Sequence, residues 1–223
     1  MSIGRSRLLQ QHFPQRAVAP RRPFSLSEEN PLNFLLLTHG AGSNRNAPLL
    51  VAVANAFAAA GVEVVRYDLP FRQERKQGPP RPADAARDRE GLREQILKAR
   101  EKKPERVWMG GHSYGGRQAS MLAAEMPGLA DGLLLLSYPL HPPRKPDQPR
   151  TAHLSKLQTP TLFVHGSRDP FGSIAEIEQA IALIPAETTL LEIDGAGHEL
   201  GRDHAALAQR IVSAMVSGFG NGS

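Results

Sequence analysis

From Leu32 onward, short apolar runs alternate with longer amphipathic stretches. The run FLLLT (Phe34–Thr38), the β-branched VEVVRY (Val62–Tyr67), Arg106–Met109, GLLLLS (Gly132–Ser137), Thr161–Val164 and Thr188–Ile193 each read as a strand. Between them, helical spacing covers Ala47–Ala60, stopped by Gly61, and Ala83–Lys103, which ends before Pro104. Three more helices are predicted over Gly116–Glu125, Ile174–Ile184 and His204–Val216. Strands of four to six apolar residues separated by helices predict an α/β class: a mostly parallel sheet with helices on both faces. Crossovers in such a sheet are right-handed, and ligands bind beyond the carboxyl ends of the strands. Every candidate residue below follows a strand, so all gather at that edge.

The chain divides into an irregular, proline-broken extension (1–31), with a weak strand around Pro23–Leu26, one globular domain (32–217) and a flexible tail (218–223). No internal repeat is visible. The long irregular connection Tyr138–Pro160 is proline-rich and spans about two dozen residues, too few for a multi-helix lid.

The net charge of +5 raises the question of nucleic acid, and its distribution answers against it. Arg5, Arg7, Arg16, Arg21 and Arg22 lie in the first 22 residues, which hold no acid; the remaining 201 carry 22 basic and 22 acidic groups. The extension reads as solvated, without the apolar segment of a secretory signal. No apolar run approaches the ~20 residues a bilayer demands. The absence of cysteine removes disulfides and thiol chemistry and fits the cytoplasm as the expected location.

Gly111-His112-Ser113-Tyr114-Gly115 is a G-x-S-x-G motif with a strand directly before it and a helix directly after. That context makes a weak motif informative: Ser113 is the expected nucleophile, standing clear of the sheet on a sharp turn. Side chains at Gly111 and Gly115 are expected to collide as strand and helix approach. A serine hydroxyl needs a base, and His198, in the glycine-rich loop after the last strand, is the best placed. His112 is expected to point away from Ser113. His39 and His165 end strands and suit structural hydrogen bonds, His204 starts a helix, and His12, His141 and His153 lie in irregular segments. The base needs an orienting carboxylate. Asp169, after the strand Thr161–Val164, is favoured over Asp194, which suits loop capping. Two backbone N–H groups, from Tyr114 and Ala41, are the expected oxyanion donors.

A basic rim formed by Arg72, Arg75, Lys76, Arg117, His141, Arg144, Lys145 and Arg150 predicts a preference for anionic acyl groups. Arg72, His141 and Arg117 are the candidate substrate contacts. No cofactor is expected: the chain has no P-loop lysine, and GGHSYGG lacks a dinucleotide-binding pattern. No metal is expected either, because His198 and His204 are six apart and cannot share a helical face.

These motifs resemble the α/β-hydrolase superfamily over about residues 32–217. The segments THGAG (38–42), YDLPF (67–71), GGHSYGGR (110–117), YPLHPP (138–143) and GSRDPFG (166–172) are similar to a small branch that includes testis-expressed protein 30 and bacterial relatives, near the dienelactone hydrolases. The resemblance implies a hydrolase fold without a large cap domain and no settled substrate. Dienelactone hydrolases proper use a cysteine nucleophile, which this chain lacks. The expected partner is a small ester or thioester, cleaved through an acyl-enzyme on Ser113. Acyl transfer or perhydrolysis by the same residues, and a non-catalytic binding protein, are the alternatives. The sequence does not indicate an oligomeric state.

Overall fold

The computed structural model describes residues 33–220, and side chains as far as 216. Six strands form one parallel sheet: β1 (Asn33–Thr38), β2 (Val62–Tyr67), β3 (Arg106–His112), β4 (Gly132–Leu136), β5 (Thr161–Gly166) and β6 (Thr188–Ile193), in the order β2-β1-β3-β4-β5-β6. Period-two alternation sorts their side chains between two cores. Phe34, Leu36, Val107, Met109, Leu133, Leu135 and Phe163 enter one core. Leu35, Leu37, Trp108, Leu134, Leu136, Leu162 and Val164 enter the other. The near-continuous apolar runs reflect this two-sided burial.

Helices α1 (Pro48–Ala59) and α6 (His204–Gly220) pack together over the second core through Leu50, Val53, Phe57, Ala208 and Ile211. The opposite face is covered by α2 (Pro70–Glu74), α3 (Asp84–Glu101), α4 (Tyr114–Glu125) and α5 (Ile174–Ile181), through Phe71, Leu92, Ile96, Ala119, Leu122 and Ile177. Strand order reverses between β1 and β3. The loops after these two strands therefore diverge and leave a crevice at the carboxyl edge.

Several bounds differ from the sequence expectation. β3 runs three residues past Met109, through Gly110, Gly111 and His112. Glycine normally weakens a strand signal, but here the neighbours leave no room for a side chain. A Cβ at Gly110 would lie 1.9 Å from the Leu134 carbonyl oxygen, and one at Gly111 2.2 Å from that of Thr38. The short α2 falls where a rim loop was expected, and α6 continues to Gly220, four residues past Val216. The connection after β4 contains one 3₁₀ turn, Leu154–Lys156, and no added domain. The strand expected at Pro23–Leu26, His12 and the basic extension lie outside the described residues. Among the described residues no helix is long and apolar enough to cross a membrane.

Candidate active site

The turn between β3 and α4 places Ser113 at φ +50°, a region that L-residues enter at a cost of about 1–3 kcal/mol. Its neighbours hold it there. The Ser113 N–H donates to the Leu136 carbonyl at 2.8 Å, and the Ser113 carbonyl accepts from the Arg117 N–H at 3.0 Å. The motif glycines are required by β1 more than by the helix. A Cβ at Gly115 would lie 2.6 Å from the His39 carbonyl oxygen. The expected strand–helix collision occurs one residue later, where a Cβ at Gly116 would lie 2.5 Å from the Gly111 carbonyl oxygen.

Ser113 Oγ lies 2.8 Å from His198 Nε2, and His198 Nδ1 lies 2.8 Å from Asp169 Oδ2. An ionised Asp169 accepts only, so it fixes the proton on Nδ1 and leaves Nε2 free to accept from the serine hydroxyl. Asp169 is buried, and its other oxygen accepts from the Phe171 N–H at 2.9 Å. Asp194, the rival, accepts from Ser167 Oγ and helps close the turn after β6. Ala41, Ser113 and Tyr114 line one pocket of about 550 Å³. Among the described residues, neither the Ala41 nor the Tyr114 N–H donates to a backbone carbonyl.

Three further residues make contacts around this centre that the sequence analysis did not assign. His112 Nε2 donates to the His198 carbonyl at 2.9 Å, and the two rings lie 5.0 Å apart. His112 thus points away from the Ser113 hydroxyl, as expected, yet ties the His198 loop to the serine turn. Burial lowers its affinity for a proton. Phe171 packs on the His198 ring at 4.3 Å. Asp88, on α3, accepts from Tyr114 Oη at 2.8 Å and from the Phe71 N–H at 3.0 Å. Burial raises its pKa.

The three expected substrate contacts separate. Arg117 lines the Ser113 pocket. Arg72 does not: it is buried, and its guanidinium donates to the carbonyls of Ser43, Ala41, Gly78 and Arg75 at 2.8–3.1 Å. It braces the loop carrying Ala41. His141 is also buried and lies in another depression, 3.6 Å from Glu176, with Nδ1 on the Pro142 carbonyl. Both were drawn to the rim by sequence position alone. Arg75 is likewise diverted, pairing with Asp84. Replacing Arg72 with methionine strands four backbone acceptors. We expect ~2–4 kcal/mol of lost stability in urea denaturation, together with a lower kcat from a loosened Ala41 loop.

Three further histidines show a common trend. Burial holds His39, His153 and His165 below the usual imidazole range, His153 down to about 4, where Arg117 and Arg89 add repulsion. His153 donates through Nε2 to Ser120 Oγ, whose own proton goes to the Arg117 carbonyl. An unfolded histidine binds its proton near pH 6.5, so stability falls as pH drops from about 6.5 toward 4. His153→Gln keeps a donor and removes its share of that loss. The gap in thermal midpoint between pH 7.5 and 4.5 should be smaller in this variant than in the parent.

Among the described residues no group of three or more histidine, aspartate and glutamate side chains could hold a metal ion. A depression between α1 and α6, lined by Val51, Ala52, Asn55, Ala205 and Gln209, has no titratable lining residue. Of these cavities, the one that holds Ser113 also carries Tyr114, Arg117 and Arg150.

Comparison with known proteins agrees with this architecture. Dienelactone hydrolase from Anabaena variabilis superposes with a TM-score of 0.65 at 22% identity, covering 86% of this chain and 87% of that one. An alpha-beta serine hydrolase homologue from Coxiella burnetii gives 0.67 at 18%, covering 87% and 88%. Est1E from Butyrivibrio proteoclasticus, with ferulic acid bound, gives 0.66 at 17%, covering 89% and 93%. A stretch of 66 residues, 30% of the chain, is 41% identical to part of polyketide synthase ThaQ from Burkholderia thailandensis and spans 3% of that protein. The structural likenesses carry the fold, and none of them reaches the narrower branch. The family model for the alpha/beta hydrolase domain matches residues 31–215, and the chain belongs to that family.

Proposed function

We propose that this alpha/beta hydrolase is a serine enzyme that cleaves a small carboxylic ester or thioester through an acyl-enzyme on Ser113. The observation that carries the reading is the continuous chain from Ser113 Oγ through His198 to Asp169, with both contacts at 2.8 Å. As Oγ attacks the acyl carbon, its proton passes to His198 Nε2, and buried Asp169 stabilises the imidazolium. The carbonyl oxygen becomes an oxyanion, received by the Ala41 and Tyr114 N–H groups. Such donors are each worth on the order of a hundredfold or more in rate. Collapse breaks the bond to the leaving oxygen or sulfur, which takes the proton from His198. Water then repeats the sequence on the acyl-enzyme, with His198 again accepting a proton, and the acid departs from regenerated Ser113.

The arrangement around His198 supports this reading. His112 and Phe171 border its ring, and the His112–carbonyl bond restrains its loop. A fluorophosphonate probe tests the proposal directly. We expect stoichiometric labelling of the folded protein that disappears in Ser113→Ala. Folded protein that resists the probe and turns over no ester would instead point to a binding protein that retains the fold.

A further inference from the structure

The Ser113 pocket contains a charge imbalance. Arg117 and Arg150 line it together with Arg81, and no aspartate or glutamate does. Among the described residues, neither Arg117 nor Arg150 has a carboxylate within 4.0 Å, although Arg75, Arg87, Arg89, Arg93 and Arg100 all do. Nearby acids are already engaged: Asp84 pairs with Arg75 and Arg87, and Glu125 with Arg89. Arg117 Nε and Gln118 Nε2 are buried donors without a hydrogen-bond partner, and both residues line the pocket. The Arg150 guanidinium donates one hydrogen bond, to the Pro139 carbonyl at 3.1 Å.

Two half-buried guanidinium groups repel each other. Burial, and then the charge of Arg117, lower the proton affinity of Arg150, and Arg117 also disfavours a proton on His153. Arg75, Arg87, Arg89, Arg93 and Arg100 each offset such a cost with an acid. In this pocket the missing partner is an anion, and guanidinium groups match a carboxylate through paired N–H donors. Of the wider basic rim expected from sequence, the structure keeps Arg117 and Arg150 beside Ser113 and takes Arg72 and His141 elsewhere.

We propose that the pocket selects esters carrying a free carboxylate, held by Arg117 and Arg150 while Ser113 attacks the ester carbonyl. This rests on the serine-esterase reading, and its test separates the two. The comparison uses isosteres differing in the charged group: monoethyl succinate against ethyl 4-methylpentanoate for an acyl-side anion, and 3-acetoxypropanoate against 3-methylbutyl acetate for an alcohol-side anion.

We expect kcat/KM for the anion in at least one pair to exceed its isostere by about tenfold at low salt, and the excess to shrink at 0.5 M salt. In Arg117→Gln the ratio falls about tenfold; in Arg93→Gln, a surface control paired with Glu90, it stays put. Arg150→Gln serves if Arg117→Gln does not fold. Ser113-dependent turnover of all four esters with ratios near one overturns the carboxylate proposal and leaves the esterase intact. If no ester is turned over, the esterase reading fails, and thermal shift with succinamate against butyramide still decides the pocket. A midpoint rise with succinamate alone, lost in Arg117→Gln, sustains anion selection, while no rise refutes it.

Discussion

Ser113→Ala is expected to lower kcat on a small neutral ester by about 10⁴-fold or more, because no other group can form the acyl-enzyme. Its stability should fall by about 1 kcal/mol, the net worth of the hydrogen bond to His198. Ser113 occupies the N-cap position of α4 but makes no side-chain cap bond, so alanine costs the helix nothing there. The positive φ remains equally strained, because serine and alanine both carry a Cβ. The loss of rate therefore cannot be attributed to unfolding, and melting curves would verify this. His198→Ala should cost nearly as much, and the double variant little more than either alone. That non-additivity is the decisive part, because a serine and a base acting as one unit can be disabled only once. Independent, multiplying losses would show that Ser113 and His198 act separately, despite their 2.8 Å contact.

The meeting of Ser113, His198 and Asp169 was legible in the sequence because each is tied to a local pattern. Ser113 lies between a strand and a helix, Asp169 follows Thr161–Val164, and His198 sits in a glycine loop after Thr188–Ile193. Parallel topology then does the rest, since all strand ends share one edge. Arg72 was misread for a physical reason. Its four partners are backbone carbonyls, two of them on the distant Ala41–Ser43 loop, and a carbonyl carries no residue identity that a sequence pattern could reveal. The same holds for His112, whose partner is the His198 carbonyl 86 residues away. Asp88 looked like one charge among many on the exposed-seeming α3, yet it reaches Tyr114 from across the sheet edge. Position after a strand locates a residue at the site edge; whether its side chain turns into the pocket or into the loop wall depends on contacts distant in sequence.

Gly110→Ala should be the most destabilising single-methyl change in the sheet, costing about 3–5 kcal/mol and lowering the thermal midpoint by roughly 10 °C. The reason is what the methyl meets. A Cβ at Gly110 lies 1.9 Å from the Leu134 carbonyl oxygen and 2.7 Å from its carbon. No rotamer change relieves contact between a Cβ and backbone, so β3 and β4 must separate where Gly110 and Leu134 are paired. Separation disturbs both cores at once, because Leu133 and Leu135 fill one and Leu134 and Leu136 the other. It also moves the Leu136 carbonyl that holds the Ser113 N–H, so kcat should fall in whatever fraction stays folded. Two controls isolate the cause. Gly128, at φ +84°, has open space around an added Cβ, so Gly128→Ala reports backbone strain alone, about 1 kcal/mol. Gly42 has open space and no positive φ, so Gly42→Ala should be nearly neutral. Urea denaturation that ranks Gly110 well above Gly128, and Gly128 above Gly42, assigns the cost to strand approach. A Gly110→Ala protein as stable as Gly128→Ala would mean that β3 and β4 can part without loss. Ser113 would then be held by its turn alone, and not by the packed strands beneath it.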